Sequence, residues 1–200
     1  MTSYEYYKIA RNKAWKVLIE CGINKLPLDL TKIINFYNIE TRSFSNSNYV
    51  KTLNFNVQNG DGFSQIENGQ KIIYFNDKKG AKVRRRFTIA HELGHCLLGH
   101  LKDNNKTFYR NSEIDLPNNS IEEMQANVFA RDILMPAIIL HCTNCINYKD
   151  IKKLCNVSET SAKIREERMK ILEQKSKFCL NNSEKQVFNN FANFIETYKK

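Results

Sequence analysis

The chain has 200 residues, a formal net charge of +10 and 42% hydrophobic residues, which is enough for a folded domain with a real core and argues against disorder. Its N-terminal stretch mixes apolar and charged residues, and the sequence has no apolar run near the roughly 18 residues of a membrane span. We therefore expect neither a signal peptide nor a membrane anchor, and a cytoplasmic protein whose six cysteines are reduced. The positive charge is compatible with a nucleic-acid partner, but we attribute most of it to solubility.

The first part of the chain predicts helices followed by strands. Apolar residues at helical spacing and Pro27 predict two helices, and residues rich in Thr, Phe, Tyr and Val predict strands. Asn68-Gly69 is typical of a tight turn between two strands of a hairpin. The predicted elements are helices over residues 4–21 and 28–37, strand material over 39–57, and hairpin strands over 63–66 and 71–75.

The second part of the chain is predicted to be helical. A basic run over 82–86 leads into a helix over 87–98, and a long polar loop follows over 102–119. Ser120 is a candidate N-cap for a helix that Pro136 ends. Two helices are predicted within 149–172, around Asn156-Val157-Ser158, and a last one over 184–198. Since strands and helices do not alternate, the fold class is α+β.

The predicted helix over 87–98 carries the motif His91-Glu92-Leu93-Gly94-His95. Two histidines four residues apart lie on the same face of a helix, so they can bind a single Zn²⁺ through their imidazole nitrogens. At ~100° per residue, Glu92 lies ~60° from His95, close enough to act on a water without occupying a coordination position. Gly94 would allow another element to approach closely.

A catalytic zinc site needs a third protein ligand and an open position. Cys96 points ~140° away from His91 on a helix, and His100 follows Gly99, which we expect to end the helix. Glu123 is better placed, because it begins a second helix with apolar residues for the core. Asn127 lies one turn further on the same face and is a candidate to support a ligand. The candidates for the third ligand are Cys96, His100, Glu113, Glu122, Glu123 and Asp132.

With these residues in view, the sequence resembles the ImmA/IrrE family of zinc metallopeptidases. RRFTIAHELGH at 85–95 is similar to that family's catalytic helix, EMQANVFA at 123–130 to its second metal helix, and ILMP at 133–136 to its exit motif. The strand and turn IIYFN at 72–76 are also similar to those before the catalytic helix. The resemblance covers about residues 25–170 and is specific over 84–136.

The resemblance implies that His91, His95 and Glu123 bind zinc and that Glu92 is the catalytic base. It also implies a minimal zincin-like core, in which a small mixed sheet packs on the two metal helices. Members of the family commonly act on helix-turn-helix repressors of mobile elements or stress responses. The expected function is therefore that of a zinc-dependent endopeptidase with such a repressor as its substrate. The chain departs from the family at Gly99-His100, where many members have a histidine directly after two leucines.

We predict a metallopeptidase domain over 1–140 and a C-terminal helical region over 141–200. Residues 150–172 resemble a helix-turn-helix, which would suit DNA binding. We favour helices that pack on the core or dock the substrate, because base-reading side chains cannot be distinguished here from solvated ones. The alternative function is that of a regulator that binds DNA or a repressor, with the zinc domain serving as a scaffold or sensor.

Two further features of the sequence are less informative. A peptidase often needs a second donor to its oxyanion, and the candidates are Tyr109, Arg110, Arg131 and His141. Cys142 and Cys145 form a CxxC pair, but no second pair completes a four-ligand set, so we expect free thiols there. The sequence leaves the oligomeric state open.

Overall fold

The computed structural model describes residues 2–101, 108–110 and 120–198. Within these residues the chain combines helices with one four-stranded sheet, so the predicted α+β class is confirmed. The strands are β1 (Glu40–Ser43), β2 (Gly62–Glu67), β3 (Gln70–Phe75) and β4 (Phe108–Arg110). The helices are α1 (Ser3–Glu20), α2 (Leu30–Phe36), α3 (Asn48–Thr52), α4 (Phe55–Gln58), α5 (Lys82–Leu98), α6 (Ile121–Leu134), α7 (Ala137–Cys142), α8 (Tyr148–Cys155), α9 (Glu159–Gln174), α10 (Asn182–Asn190) and α11 (Ala192–Tyr198).

The sheet has the strand order β1-β3-β2-β4. The central strands β2 and β3 form the predicted hairpin, with Gly62 opposite Phe75 at one end and Glu67 opposite Gln70 at the turn. Strand β1 pairs with β3 in parallel, while β4 pairs with β2 antiparallel. The edge strand β4 lies inside a segment that was predicted to be a loop, so that prediction is wrong at 108–110.

The two faces of the sheet have different neighbours, because successive side chains of a strand point to opposite sides. Ser64 and Ile73 are directly opposite each other and share one face. The Ser64 hydroxyl on this face reaches Glu92 of α5. The other face packs against a small apolar cluster that consists of Phe44, Val50, Val57, Phe63, Ile72 and Tyr74. The sheet therefore presents Ser64 to the helix that carries the histidine motif.

Helix α6 packs against both α1 and α5. Gly94 of α5 permits this approach, since a Cβ atom built there would lie 3.0 Å from the Cα of Ala126 and 3.3 Å from the Cβ of Phe129. The close approach that was predicted at Gly94 is thus confirmed. It brings the two helices that carry the candidate ligands into direct contact.

The prediction of strand over 39–57 is correct only for β1. The rest forms the short helices α3 and α4, and each begins at a polar residue that caps it. The Ser47 hydroxyl accepts from the Val50 N–H at 3.2 Å, and the Asn54 side chain accepts from the Val57 N–H at 3.0 Å. Such local bonds compete with strand pairing and outweigh the strand propensity of the Thr, Tyr and Val residues here.

Helix α5 begins at Lys82, so the basic run that was predicted to precede the helix forms its first turns. Long basic side chains in the first turns of α5 bond to residues elsewhere in the protein. Arg84 makes a bidentate contact with the buried Asp61 carboxylate at 3.0 and 2.7 Å, and Arg86 donates to the Leu28 carbonyl. These tertiary bonds stabilise a helix start whose N-cap, Ala81, makes no side-chain capping bond.

The predicted helix pair within 149–172 is confirmed as α8 and α9, separated by Asn156 in the left-handed conformation with φ 51°. The predicted last helix is interrupted at the buried Phe191, which lies between the end of α10 at Asn190 and the start of α11 at Ala192. One apolar core extends from α1 through α5 and α6 to the C-terminal helices. The boundary proposed at residue 140 stays a prediction. In the described part of the chain, no helix is both long and apolar enough to cross a membrane.

Candidate metal centre

Three side chains from α5 and α6 converge at the contact between these helices. Glu123 Oε2 lies 3.2 Å from His91 Nε2, and Glu123 Oε1 lies 3.1 Å from His95 Nε2. The two Nε2 atoms are 3.1 Å apart. Both imidazoles are buried, while the Glu123 side chain keeps 23% of its surface exposed. The structure thus assembles the three residues that were predicted from the motif and the resemblance.

The start of α6 explains how Glu123 reaches this point. Ser120 caps the helix as predicted, and its hydroxyl accepts from the Glu123 N–H at 3.1 Å. In a capping box a glutamate at this position turns back to the N-cap backbone. The Glu123 carboxylate lies against the two histidines of α5 instead. The position in the first turn therefore directs the carboxylate towards the neighbouring helix.

Further polar groups contact the outer nitrogens of the two imidazoles. Asn127 Oδ1 lies 3.0 Å from His91 Nδ1, so the structure places this residue where its predicted supporting role requires. His100 Nδ1 lies 3.1 Å from His95 Nδ1, and His100 Nε2 lies 3.1 Å from Gln125 Oε1. Both Nε2 atoms are thereby left to face Glu123.

The hydrogen bonds and charges of the cluster favour an ionised Glu123 carboxylate beside the imidazoles of His91 and His95. Burial alone would raise the pKa of Glu123, but its hydrogen bonds to His91 and His95 outweigh burial and hold the pKa well below the ordinary value. Burial alone would lower the pKa of His95, but the bond to Glu123 and the nearby acidic charges raise it. Burial lowers the pKa of His100 to about 4, so this imidazole is neutral at neutral pH.

Glu92, the predicted base, is 1% exposed and lies on the sheet side of α5. The Ser64 hydroxyl donates to Glu92 Oε2 at 2.8 Å. Sequence reasoning did not identify Ser64 as a functional candidate. The alternation of side chains along β2 places Ser64 on one face of the sheet. The sequence pattern does not reveal which residue of a helix packs against that face.

The other candidates for the third ligand have different surroundings. Burial raises the pKa of the Cys96 thiol to about 12, and Cys96 does not belong to the group of side chains that converge with His91 and His95. Asp132 forms ion pairs with Arg131 and Arg165 at 2.9 Å each. Among the residues that the structure describes, His91, His95 and Glu123 are the group of three or more such side chains that could hold a metal ion. Glu113 lies outside the described residues.

Two of the four candidates for the oxyanion donor have other contacts. Arg131 Nη2 donates to Tyr7 and Asp132, and His141 lies 2.7 Å from Glu173 Oε1. The side chains of Tyr109 and Arg110 lie outside the described part of the structure. The choice between these four residues therefore stays open.

The geometry of the three converging side chains fits a small divalent cation. Zinc bonds of ~2.0–2.2 Å in a tetrahedron put neighbouring ligand atoms ~3.3–3.5 Å apart. The two Nε2 atoms are 3.1 Å apart, and each lies 3.1–3.2 Å from one oxygen of the Glu123 carboxylate, Oε2 for His91 and Oε1 for His95, which is close to that spacing. When both imidazoles carry their proton on Nδ1, three electron-pair donors face one another, and a shared cation relieves their repulsion.

The comparisons with known proteins agree with this geometry. The family Peptidase_M78, described as the IrrE N-terminal-like domain, matches residues 48–166. The matched segment includes all of α5 and α6, on which the three converging side chains lie. A comparison with curated proteins gives no match. Because the family matches more than half of the chain, this protein belongs to the Peptidase_M78 family of IrrE N-terminal-like domains.

Proposed function

We propose that the protein is a zinc-dependent endopeptidase of the HExxH type, built on a minimal zincin-like core. The observation that carries the proposal is the convergence of His91 Nε2, His95 Nε2 and a Glu123 carboxylate within 3.2 Å of one another. Two imidazoles and one carboxylate are the donor set of catalytic zinc sites that keep a fourth position open for water or substrate. Membership of the peptidase family supports the same activity.

Bound zinc supplies a Lewis acid that polarises a carbonyl group and lowers the pKa of a water molecule towards ~7. His91, His95 and Glu123 hold the ion, and the Ser64 hydroxyl orients the Glu92 carboxylate. Glu92 accepts the proton of the attacking water and then donates it to the amine that leaves. Its burial keeps bulk water from competing for that proton.

A groove beside the metal centre is suited to hold a protein substrate. It has a volume of about 1180 Å³ and follows one face of α6 from Ile121 to Met135. The first turns of α9 line its other side, including Ile164, which is 59% exposed. The groove reaches Asn127, whose side chain contacts His91. A polypeptide in this groove would pass Asn127, one contact away from the candidate ligand His91.

We propose that the substrate is a helix-turn-helix transcriptional repressor of a mobile element or stress response, encountered in the cytoplasm. The resemblance in the catalytic and second metal helices supports this substrate class. The six cysteines, which form no disulfide among the described residues, support a reducing compartment.

A regulator that binds DNA or a repressor, with the metal domain as a scaffold, is the second candidate. The observation in its favour is the helix pair α8 and α9, whose second helix is capped by Ser158. In a helix-turn-helix, the first residues of the second helix contact base edges. Here Ser158, Thr160 and Ser161 line the groove next to α6, which favours contact with a protein.

Co-expression with a candidate helix-turn-helix regulator tests the proposal, together with metal analysis of the purified chain. We expect about one zinc per chain and cleavage of the regulator. Glu92→Gln should retain zinc and reduce cleavage by at least roughly 100-fold, because proton transfer is lost. A protein that binds zinc, leaves the regulator intact and shifts operator DNA with a steep salt dependence would favour the scaffold function.

A further inference from the structure

A buried chain of polar groups leads from the metal ligand His95 to the backbone of α1. His95 Nδ1 lies 3.1 Å from His100 Nδ1, and His100 Nε2 lies 3.1 Å from Gln125 Oε1. The Gln125 side-chain amide donates to the Tyr6 carbonyl at 3.2 Å. His95 is completely buried, and His100 and Gln125 are each 7% exposed.

The last group of the chain fixes the direction of every hydrogen bond in it. The Tyr6 carbonyl can only accept, so it sets the orientation of the Gln125 amide and leaves Oε1 as an acceptor towards His100. His100 must therefore carry its proton on Nε2, and a neutral imidazole then accepts at Nδ1. The contact between the two Nδ1 atoms consequently requires a proton on His95 Nδ1. In the neutral imidazole, the Nε2 atom of His95 then carries the lone pair, on the side that faces Glu123.

The end of α5 explains how His100 reaches this position. Gly99 adopts the left-handed conformation with φ 77°, which reverses the chain at the last turn. The His100 N–H then donates to the His95 carbonyl at 3.1 Å, so backbone and side chain both bond to the same residue. The left-handed glycine thus turns the histidine inwards.

We propose that His100 is a positioning residue that fixes the tautomer and ring orientation of the metal ligand His95, with Gln125 holding His100 in turn. Metal-bound histidines usually donate their second N–H to a carboxylate, a backbone carbonyl or water. In this protein a neutral imidazole takes that role, so the acceptor behind His95 adds no negative charge to the centre. The inference rests on the proposed function only in that His95 binds zinc.

Zinc affinity of the full chain, measured by competition with a chromophoric chelator, tests the inference without any assay of cleavage. His100→Phe keeps a ring but removes the acceptor, and we expect the zinc dissociation constant to rise by roughly 10- to 100-fold. His100→Asn offers a side-chain oxygen near the position of Nδ1, and it should recover most of the affinity. Leu154→Ala, which removes core packing outside the chain of polar groups, should leave zinc affinity unchanged.

The tautomer has a direct spectroscopic readout. In the zinc-loaded protein, ¹H–¹⁵N correlation spectra of the imidazoles should show a protected N–H at His95 Nδ1 and another at His100 Nε2. The first should persist in His100→Asn and lose its protection in His100→Phe. The absorption bands of the cobalt-substituted protein should shift in His100→Phe alone.

The inference would be overturned by equal zinc affinity in His100→Phe and wild type, or by a zinc-loaded His95 that carries its proton on Nε2. Either result leaves the peptidase proposal intact. Conversely, a wild-type protein that binds zinc with the expected dependence on His100 but cleaves no repressor would contradict the proposed function and support the positioning role. Loss of affinity in His100→Asn as large as that in His100→Phe would also contradict the inference, since the acceptor would then be irrelevant.

Discussion

The hydroxyl of Ser64 contacts the proposed proton acceptor from the sheet side of α5, at 2.8 Å from Glu92 Oε2. In Ser64→Ala this hydrogen bond is absent, so the Glu92 carboxylate should no longer be held in one orientation. We expect kcat for repressor cleavage to fall roughly 10- to 100-fold, with zinc affinity unchanged, as for other groups that orient a metal centre. Single-turnover cleavage and chelator competition on the same preparation measure the two quantities.

Thr88→Val is the matched control for Ser64→Ala. Thr88 is 1% exposed on α5, and its hydroxyl donates to the Arg84 carbonyl at 3.2 Å, so the variant removes a buried hydroxyl that does not bond to Glu92. It should cleave at the wild-type rate. Equal rates for Ser64→Ala and Thr88→Val would show that Glu92 does not depend on this bond.

Gly94 sets the distance between the helices that carry the ligands. A Cβ atom at this position would lie 3.0 Å from Ala126 Cα, a backbone atom that cannot move without α6. Gly94→Ala should therefore reduce the free energy of unfolding by ~1–3 kcal/mol, the usual cost of overpacking. Because Glu123 lies on α6, zinc affinity should fall as well.

Urea unfolding of the metal-free protein and a zinc titration test Gly94→Ala. Ala90→Gly, at a buried position one turn earlier on α5, changes helix propensity without bringing α6 closer. It should destabilise the protein by ~0.5–1 kcal/mol and leave zinc affinity near the wild-type value. Higher stability in Gly94→Ala would mean that the helices have room to separate.

At the scale of single residues, the sequence predicted those candidate ligands whose spacing is fixed by one helix. His91 and His95 follow from a separation of four on one helix. Glu123 lies on another helix, and its assignment needed a family resemblance as well as spacing. Ser64 was missed because its partner Glu92 is 28 residues away, and the partner of a strand residue depends on how the sheet packs on the helix.

At the scale of elements, capping explains both successes and failures of prediction. Ser120 was identified as the cap of α6 because Glu123 follows it three residues later, the spacing of a capping box. Ser47 and Asn54 cap helices of only five and four residues, in a stretch with strand-forming side chains. A helix this short has no periodicity to detect, so propensity alone gave the wrong prediction.

The groove between α6 and α9 leads to a prediction about substrate binding. Ile164 is 59% exposed and lines the groove, so Ile164→Glu places a charge where an apolar part of the substrate would lie. We expect KM for repressor cleavage to rise roughly tenfold, since one buried apolar side chain contributes ~1.5–3 kcal/mol. The value of kcat should change little, because Ile164 is not among the residues that hold the metal.

Ile171→Glu provides the control for Ile164→Glu on the same helix. Ile171 is 41% exposed and is not among the residues that line the groove. Steady-state kinetics with the purified repressor should give wild-type constants for this variant. A similar rise of KM in both variants would indicate a general effect of charge on α9.

At the scale of the whole molecule, a buried ion pair connects the region of the metal ligands to the C-terminal helices. Asp132 of α6 lies 2.9 Å from Arg165 of α9, and both side chains are almost fully buried. The Arg165 guanidinium has a short ion-pair distance but no well-aligned hydrogen bond to this carboxylate. The pair spans the domain boundary predicted at residue 140. That boundary was placed where the sequence motifs change, and the sequence does not reveal that residues on its two sides pack together.

Replacing Asp132 by Asn would leave Arg165 as a buried charge without its counterion. Removal of one partner of a buried pair typically costs ~3–5 kcal/mol, so Asp132→Asn should lower the free energy of unfolding by about that amount at pH 7. Glu159→Gln, which alters an exposed ion pair with Lys163 on the same helix α9, should give no resolvable change. Urea unfolding monitored by circular dichroism provides the comparison.

The pH dependence separates an electrostatic effect from a packing effect. Burial alone would raise the pKa of Asp132, but the charges of Arg131 and Arg165 outweigh burial and lower it. A carboxyl whose pKa is lower in the folded state stabilises the protein above its unfolded pKa of ~3.9, and this stabilisation is lost as the pH falls through the folded value. The difference between wild type and Asp132→Asn should therefore be largest near neutral pH and shrink below about pH 4. A difference that stays constant down to pH 2 would mean that Asp132 acts through its shape, and that α6 and α9 are joined by packing alone.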